Sequence, residues 1–163
     1  HSPTYRERYA EFLKIDFPRL PITGSRELFA ASVGKGLELA DLHLMRKPSW
    51  TAPTISFPVK GDGRVEEGYP RYSQPTDDAP GRIYISKTQY FEGVIPEIWS
   101  FFVGGYQVLD KWLKDRRGRE LSFEDTQHYQ QIILALTETV RIMDDIDDII
   151  EEHGGWPIKE TAG

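Results

Sequence analysis

The chain has 163 residues, the size of one domain and enough to bury a real core, and its 26 acidic and 20 basic residues leave a net charge of −6. It has no cysteine, which excludes a disulfide framework, a thiolate zinc site and a cysteine nucleophile, and which fits a cytoplasmic protein. No apolar run approaches the roughly 20 residues that span a bilayer, and no signal-peptide pattern occurs, so no membrane partner is expected.

Ser2-Pro3 starts a helix with a capping hydroxyl and a proline at the first helical position. The segment TYRERYAEFLKIDF then puts Tyr5, Tyr9, Phe12 and Leu13 on one stripe, and Pro18 and Pro21 end it. The chain opens on His1 rather than Met, inside this helical pattern, and so reads as a piece of a longer polypeptide. A second helix is predicted from Ser25 to Met45, with Leu28, Phe29, Val33, Leu37, Ala40 and Leu44 at near-helical spacing. Gly34 and Gly36 inside it allow close packing or a kink. SVGKGL in this helix is not a P-loop, because the upstream glycine is missing and no Ser or Thr follows Lys35.

From Lys47 to Gly81 the pattern changes to proline, glycine and short alternating runs. TISFPVKG, RVEEGY and RIYISKTQYF read as strands separated by turns, and the polar SQPTDDAPG reads as a mobile loop. VIPEIWSFFVGG carries an apolar run from Ile98 to Val103 that fits either a buried strand or a short helix. The architecture predicted is α+β: N-terminal helices, a small β-rich middle, then a C-terminal basic helix and a long acidic one.

The stretch with most chemical content is GGYQVLDKWLKDRRGR, a glycine pair running into a basic helix. Gly104 and Gly105 let the backbone approach a ligand closely. Tyr106 and Gln107 are predicted on the first helical turn, where free N–H groups favour phosphate. Lys111, Lys114, Arg116, Arg117 and Arg119 follow, set against one nearby acid, Asp115. An aromatic wedge, an amide able to pair with a base edge and a cluster of cations suit DNA recognition. The same spacing also suits a solvated amphipathic helix with Val108, Leu109, Trp112 and Leu113 in the core.

Ser122 caps the last helix, with Asp125 at the capping-box position, and the helix should run about thirty residues to His153. Its stripe is Phe123, Ile132, Ile133, Leu136, Val140, Met143, Ile146 and Ile150. Charge is segregated along the chain: residues 121–163 hold ten acids and two cations, net −8, so the first 120 carry +2. One face can therefore meet an anion while another stays soluble or docks on a partner. Asp144 and Asp148 share a helical face and can hold magnesium through waters, but no second acidic motif or phosphate-binding partner accompanies them. The four histidines make no zinc spacing, and no nucleophile elbow, dinucleotide fingerprint or serine–histidine–aspartate order occurs. No catalytic, cofactor-binding or metal-binding residues are assigned.

The segment YISKTQYFEGVIPEIWSFFVGGYQVLDKWLKDRRGRELSFEDTQHYQQIILALTETVRIMDDID resembles the C-terminal specificity region of Type ISP restriction–modification enzymes and related large adenine-specific methyltransferases. YFEGV followed by GGYQVLDKWLKDR is its most specific signature. HSPTYRERYAEFLKIDFPRLPI looks like the junction where the methyltransferase domain of those proteins ends, which implies a boundary near residue 23 and a target-recognition domain over 24–163. The resemblance implies double-stranded DNA as partner, together with an upstream methyltransferase domain of the same polypeptide. It also implies S-adenosylmethionine, ATP and magnesium for the full-length protein, but no cofactor here, since the NPPY-type tetrapeptide and the glycine-rich cofactor loop are absent. With that resemblance, Lys87, Thr88, Gln89 and Tyr90 are expected in a polar turn entering a groove. Tyr106 is expected to stack or wedge, Gln107 to pair with an adenine edge, and the five cations from Lys111 to Arg119 to grip phosphates. The competing reading is a protein–protein module whose acidic last helix docks on a motor or methyltransferase domain.

Overall fold

A computed structural model describes residues 2–18, 21–46 and 55–158. Lys47 and Thr54, from the predicted β-rich middle, lie outside the described residues, as do Lys159 and Glu160 of the acidic tail. The chain forms two compact units, His1–Lys47 with Glu138–Gly163, and Pro48–Thr137. The fold is mixed α+β, with helices first, a small sheet in the middle and helices last.

In the first unit, helix α1 spans Pro3–Arg8, and the Ser2 hydroxyl accepts from the Tyr5 N–H as the sequence predicts. The single predicted helix breaks at Tyr9 (φ −107°, ψ 20°), and α2 covers only Ala10–Leu13. Tyr5 and Tyr9 turn instead to Trp156, with ring centroids 4.9 and 6.4 Å away, while the Trp156 indole N–H donates to the Thr4 hydroxyl. Helix α3, Arg26–His43, is capped by Ser25. Its buried side is Leu28, Leu39 and Leu42; of the predicted stripe only Leu28 is buried, and Phe29, Val33, Leu37, Ala40 and Leu44 are all exposed. The α3 pattern is apolar on two opposite sides, so periodicity alone does not choose between them.

Helix α6 runs over Phe123–Glu152, close to the predicted length. Within the first unit two of its acids, Asp145 and Asp147, tie it to neighbouring residues. Asp145 pairs with Lys35 at 2.9 Å and with Arg141 at 2.8 Å. Asp147 accepts from the Ser2 hydroxyl and from the Thr4 N–H at the start of α1.

The second unit holds a three-stranded antiparallel sheet: β1 Arg71–Ser73, β2 Arg82–Tyr84 and β3 Tyr90–Glu92, in that order. RIYISKTQYF forms a hairpin that turns over Ile85–Gln89, which puts Lys87, Thr88 and Gln89 in the expected turn but Tyr90 on β3. The strand predicted at TISFPVKG is reduced, among the described residues, to a single bridge between Ser56 and Glu92. RVEEGY also makes only one bridge, Arg64 to Glu120, and Gly68 then turns the chain at φ +82° into an unpredicted strand, β1. Gly81 is required where β2 begins, since a Cβ there would lie 1.9 Å from the Val94 carbonyl oxygen.

The core of this unit packs Phe57 against Phe91 (ring centroids 4.7 Å apart), Phe91 against Tyr129 (4.6 Å) and Tyr129 against Trp112 (4.8 Å), all with tilted rings. Tyr129 is fully buried and donates its hydroxyl to the Leu109 carbonyl. Burial pushes its phenol well above the ordinary range, so it stays a neutral donor. At the start of α6, Ser122 and Asp125 exchange the two bonds of a capping box. Those bonds, helped by Arg116, hold the Asp125 carboxyl below its ordinary pKa. Phe123, counted in the predicted core stripe, is instead exposed.

Candidate nucleic-acid interface

The apolar run after Glu97 divides into three short elements. Helix α4 covers Pro96–Trp99, β4 covers Phe102–Val103, and β5 covers Tyr106–Gln107. Gly104 and Gly105 form the tip between the two strands, with φ of +56° and +83°. Positive φ at both central positions is what a two-residue type I′ hairpin demands, and only glycine adopts it without strain. Tyr106 and Gln107 therefore lie on a strand, not on the first helical turn. Phe102 and Val103 are exposed, which corrects their place in a buried run.

Helix α5, Val108–Lys114, follows directly and buries Leu109 and Leu113. Its cations are more thoroughly paired than one nearby acid suggests. Lys111 bonds Asp115 at 2.6 Å, Lys114 bonds Asp110 at 2.6 Å, and Arg116 lies 3.6 Å from Asp125. Arg116 also stacks on the Trp112 ring at 3.5 Å and donates to the Trp112 carbonyl. Arg117 donates to the Tyr69 carbonyl at 2.6 Å, and Arg119 is exposed. The Lys111–Asp115 pair is a solvent-facing i,i+4 contact of the kind worth about 0.3–0.5 kcal/mol, so a phosphate can displace it at little cost, whereas Asp110 in the Lys114 pair is only 18% exposed. The Lys111 ammonium lies 5.8 Å from the Tyr106 ring centroid, which joins the hairpin to the helix. Gln107 is half-buried, and its amide nitrogen donates to the Trp99 carbonyl at 2.6 Å. Its oxygen and one amide hydrogen remain for another partner.

The second group predicted to meet DNA divides. Lys87 and Thr88 are exposed at the β2–β3 turn, and the Lys87 N–H donates to the Glu66 carboxylate. Tyr90 is half-buried in β3 against Tyr84, with Arg82 over its ring at 4.5 Å. Gln89 does not face a groove: it is buried, its oxygen accepts from the Gly63 N–H, and its nitrogen donates to the Val59 carbonyl. A Cβ on Gly61 would lie 2.5 Å from its amide carbon, so the glycine makes room for this bond network. Among the described residues no hydrogen bond, ion pair or ring contact joins this turn to the hairpin and α5.

Gln89 also walls an open groove of about 560 Å³ with Lys60, Asp62, Phe123 and Gln130. Lys60 and Asp62 are the charged residues among its lining. Among the described residues no group of three or more His, Cys, Asp or Glu can hold a metal ion, and no helix is long and apolar enough to cross a membrane.

The family model of the Type ISP C-terminal specificity domain matches residues 1–145. The chain belongs to that family. Two solved structures share the fold of this specificity domain. One is the ATP-dependent Type ISP restriction–modification enzyme LlaBIII bound to DNA, with a TM-score of 0.61 and 19% identity over 90% of this chain. The other is a nuclease-deletion mutant of the Type ISP enzyme LlaGI in complex with a DNA substrate mimic, with a TM-score of 0.56 and 21% identity over 98% of this chain. This specificity domain spans only 10% and 16% of those two chains. No curated protein matches it.

Proposed function

We propose that this specificity domain recognises double-stranded DNA for an adenine-N6 methyltransferase and nuclease carried on the same polypeptide. The observation that carries the reading is the family match over residues 1–145; two relatives of the same fold are described bound to DNA or to a DNA substrate mimic. Lys111, Lys114, Arg116, Arg117 and Arg119 would hold phosphates, with Lys87 and Thr88 as a second contact. Tyr106 and the free amide edge of Gln107 would face bases, and Gly104 and Gly105 would let the backbone in close. Tyr90 would support the Lys87 turn. Residues 1–23 would form the junction to the methyltransferase, which would supply the S-adenosylmethionine site; ATP and magnesium would serve other parts of the enzyme.

Binding of a randomised duplex library to this chain at two salt concentrations tests the reading. An enriched motif is expected. Lys111→Ala with Lys114→Ala should weaken binding to all sequences and flatten the log–log salt dependence by roughly 0.9 for each phosphate no longer neutralised. Gln107→Ala should instead relax preference at one base pair, a loss of about 1–3 kcal/mol of discrimination. Equal losses on enriched and unrelated DNA would remove Gln107 from base reading.

A second reading, docking on the methyltransferase part of the same polypeptide, is favoured by one observation. Phe29, Val33, Leu37 and Leu44 form an exposed apolar row on α3, of the kind that marks a protein contact. Asp145 and Asp147 are engaged within the first unit, so the acidic face of α6 is a poorer candidate for that contact. In an enzyme containing both parts, α3 amides should exchange more slowly than in this chain alone; equal exchange would count against the contact.

A further inference from the structure

The β4–β5 hairpin carries exposed apolar side chains on both faces, and its one polar side chain, Gln107, is half-buried. Cross-strand pairing sets Val103 opposite Tyr106 and Phe102 opposite Gln107, so the two pairs project to opposite sides of the ribbon. Phe102 and Val103 are each 58% exposed and Tyr106 is 62% exposed. No charged residue occurs between Glu97 and Asp110, yet Lys111 reaches the Tyr106 ring and Lys114 follows one turn along α5. An uncharged ribbon thus projects beside Lys111, whose solvent-facing pair a phosphate can claim.

We propose that this hairpin enters the DNA major groove and reads thymine 5-methyl groups through Phe102 and Val103, an inference that rests on the DNA-recognition reading above. Size and chemistry both select that partner. The major groove is about 12 Å wide and 8.5 Å deep and admits a two-stranded ribbon, whereas the minor groove is only about 6 Å wide. Two strand residues and the glycine tip reach about 7–10 Å, which matches that depth. The tip carries no side chain to jam the entry, and Lys111 lies at the ribbon's base, where the phosphates pass. Among the base edges displayed in the major groove, the thymine methyl is the apolar group. Phe102 and Val103 gain there only where thymines stand, so they make the domain favour A·T pairs at that step.

The test uses this chain and the duplex it enriches most from a randomised library, made once with thymidine and once with deoxyuridine, which removes only the methyl. The expected result is about fourfold weaker binding for each contacted methyl removed, the change that one buried methyl group supplies. Val103→Ala and Phe102→Ala should each shrink that difference while the Lys111-dependent salt slope stays unchanged. Equal binding of the two duplexes, a motif without A·T pairs, or full discrimination in both variants would each overturn the hairpin's role and leave DNA recognition standing. A chain that enriches no duplex would overturn both. Fluorescence of 2-aminopurine beside the contacted pair distinguishes methyl reading, which leaves the stack intact, from a wedge: a large rise on binding would overturn methyl reading in favour of intercalation.

Discussion

Gln89 and Gln107 carry the same amide and were both expected at DNA, yet their surroundings assign them different work. Gln89 ties the β2–β3 turn to the segment from Val59 to Gly63 through two bonds, in a pocket that Gly61 opens. Gln89→Ala would leave the Gly63 N–H buried without its acceptor, a loss of about 1–3 kcal/mol. Urea unfolding should report that loss, while the enriched DNA motif should keep its sequence. Gln107 spends one N–H on the Trp99 carbonyl and keeps the rest of its amide. Sequence spacing located both residues near polar turns, but which glutamine is buried depends on how residues 59–63 fold back beside the turn, a non-local fact. The pairing of Lys114 with Asp110 is different: it is an i,i+4 contact and was legible in principle.

At the scale of elements, legibility followed the length of the pattern. The capping box at Ser122 and the thirty-residue α6 were readable because the signal is local and repeats over many turns. The strands were readable only in part: RIYISKTQYF does hold β2 and most of β3, but β1, like them, has three residues, and alternation over three residues is too short a pattern to find it. The Gly104-Gly105 hairpin was announced by two glycines after the apolar pair Phe102-Val103, but the following helix hid it: Tyr106 and Gln107 suit a first turn as well as a strand. Helix α3 shows the same ambiguity on two faces. Its buried side is testable: Leu42→Ala should cost about 2–5 kcal/mol, whereas Leu37→Ala should stay within about 0.5 kcal/mol in this chain. Thermal unfolding of the two variants separates them, and equal losses would mean that the predicted stripe is buried after all.

At the scale of the whole molecule, the charge asymmetry that makes residues 121–163 strongly acidic serves the fold at defined points. Asp145 bridges Lys35 on α3 and Arg141 on its own helix, and the Lys35 bond chiefly holds its carboxyl below the ordinary 3.8. Lys35 is correspondingly raised, first by that same bond. A depressed carboxyl contributes stability that is present above its unfolded pKa and is lost as pH falls through the folded value, so this clasp should loosen only below about pH 4. The pair is partly solvated, which limits it to about 0.2–1 kcal/mol, and salt should weaken it. Lys35→Met removes the partner and should raise the Asp145 carboxyl toward its ordinary value, as NMR titration of that group would register. The same substitution should flatten the acid limb of the stability curve, because protonating Asp145 would then cost only its bond to Arg141. Were the titration of Asp145 unmoved in Lys35→Met, Arg141 would have to be the group that holds it, and the clasp would lie within α6 rather than between α3 and α6.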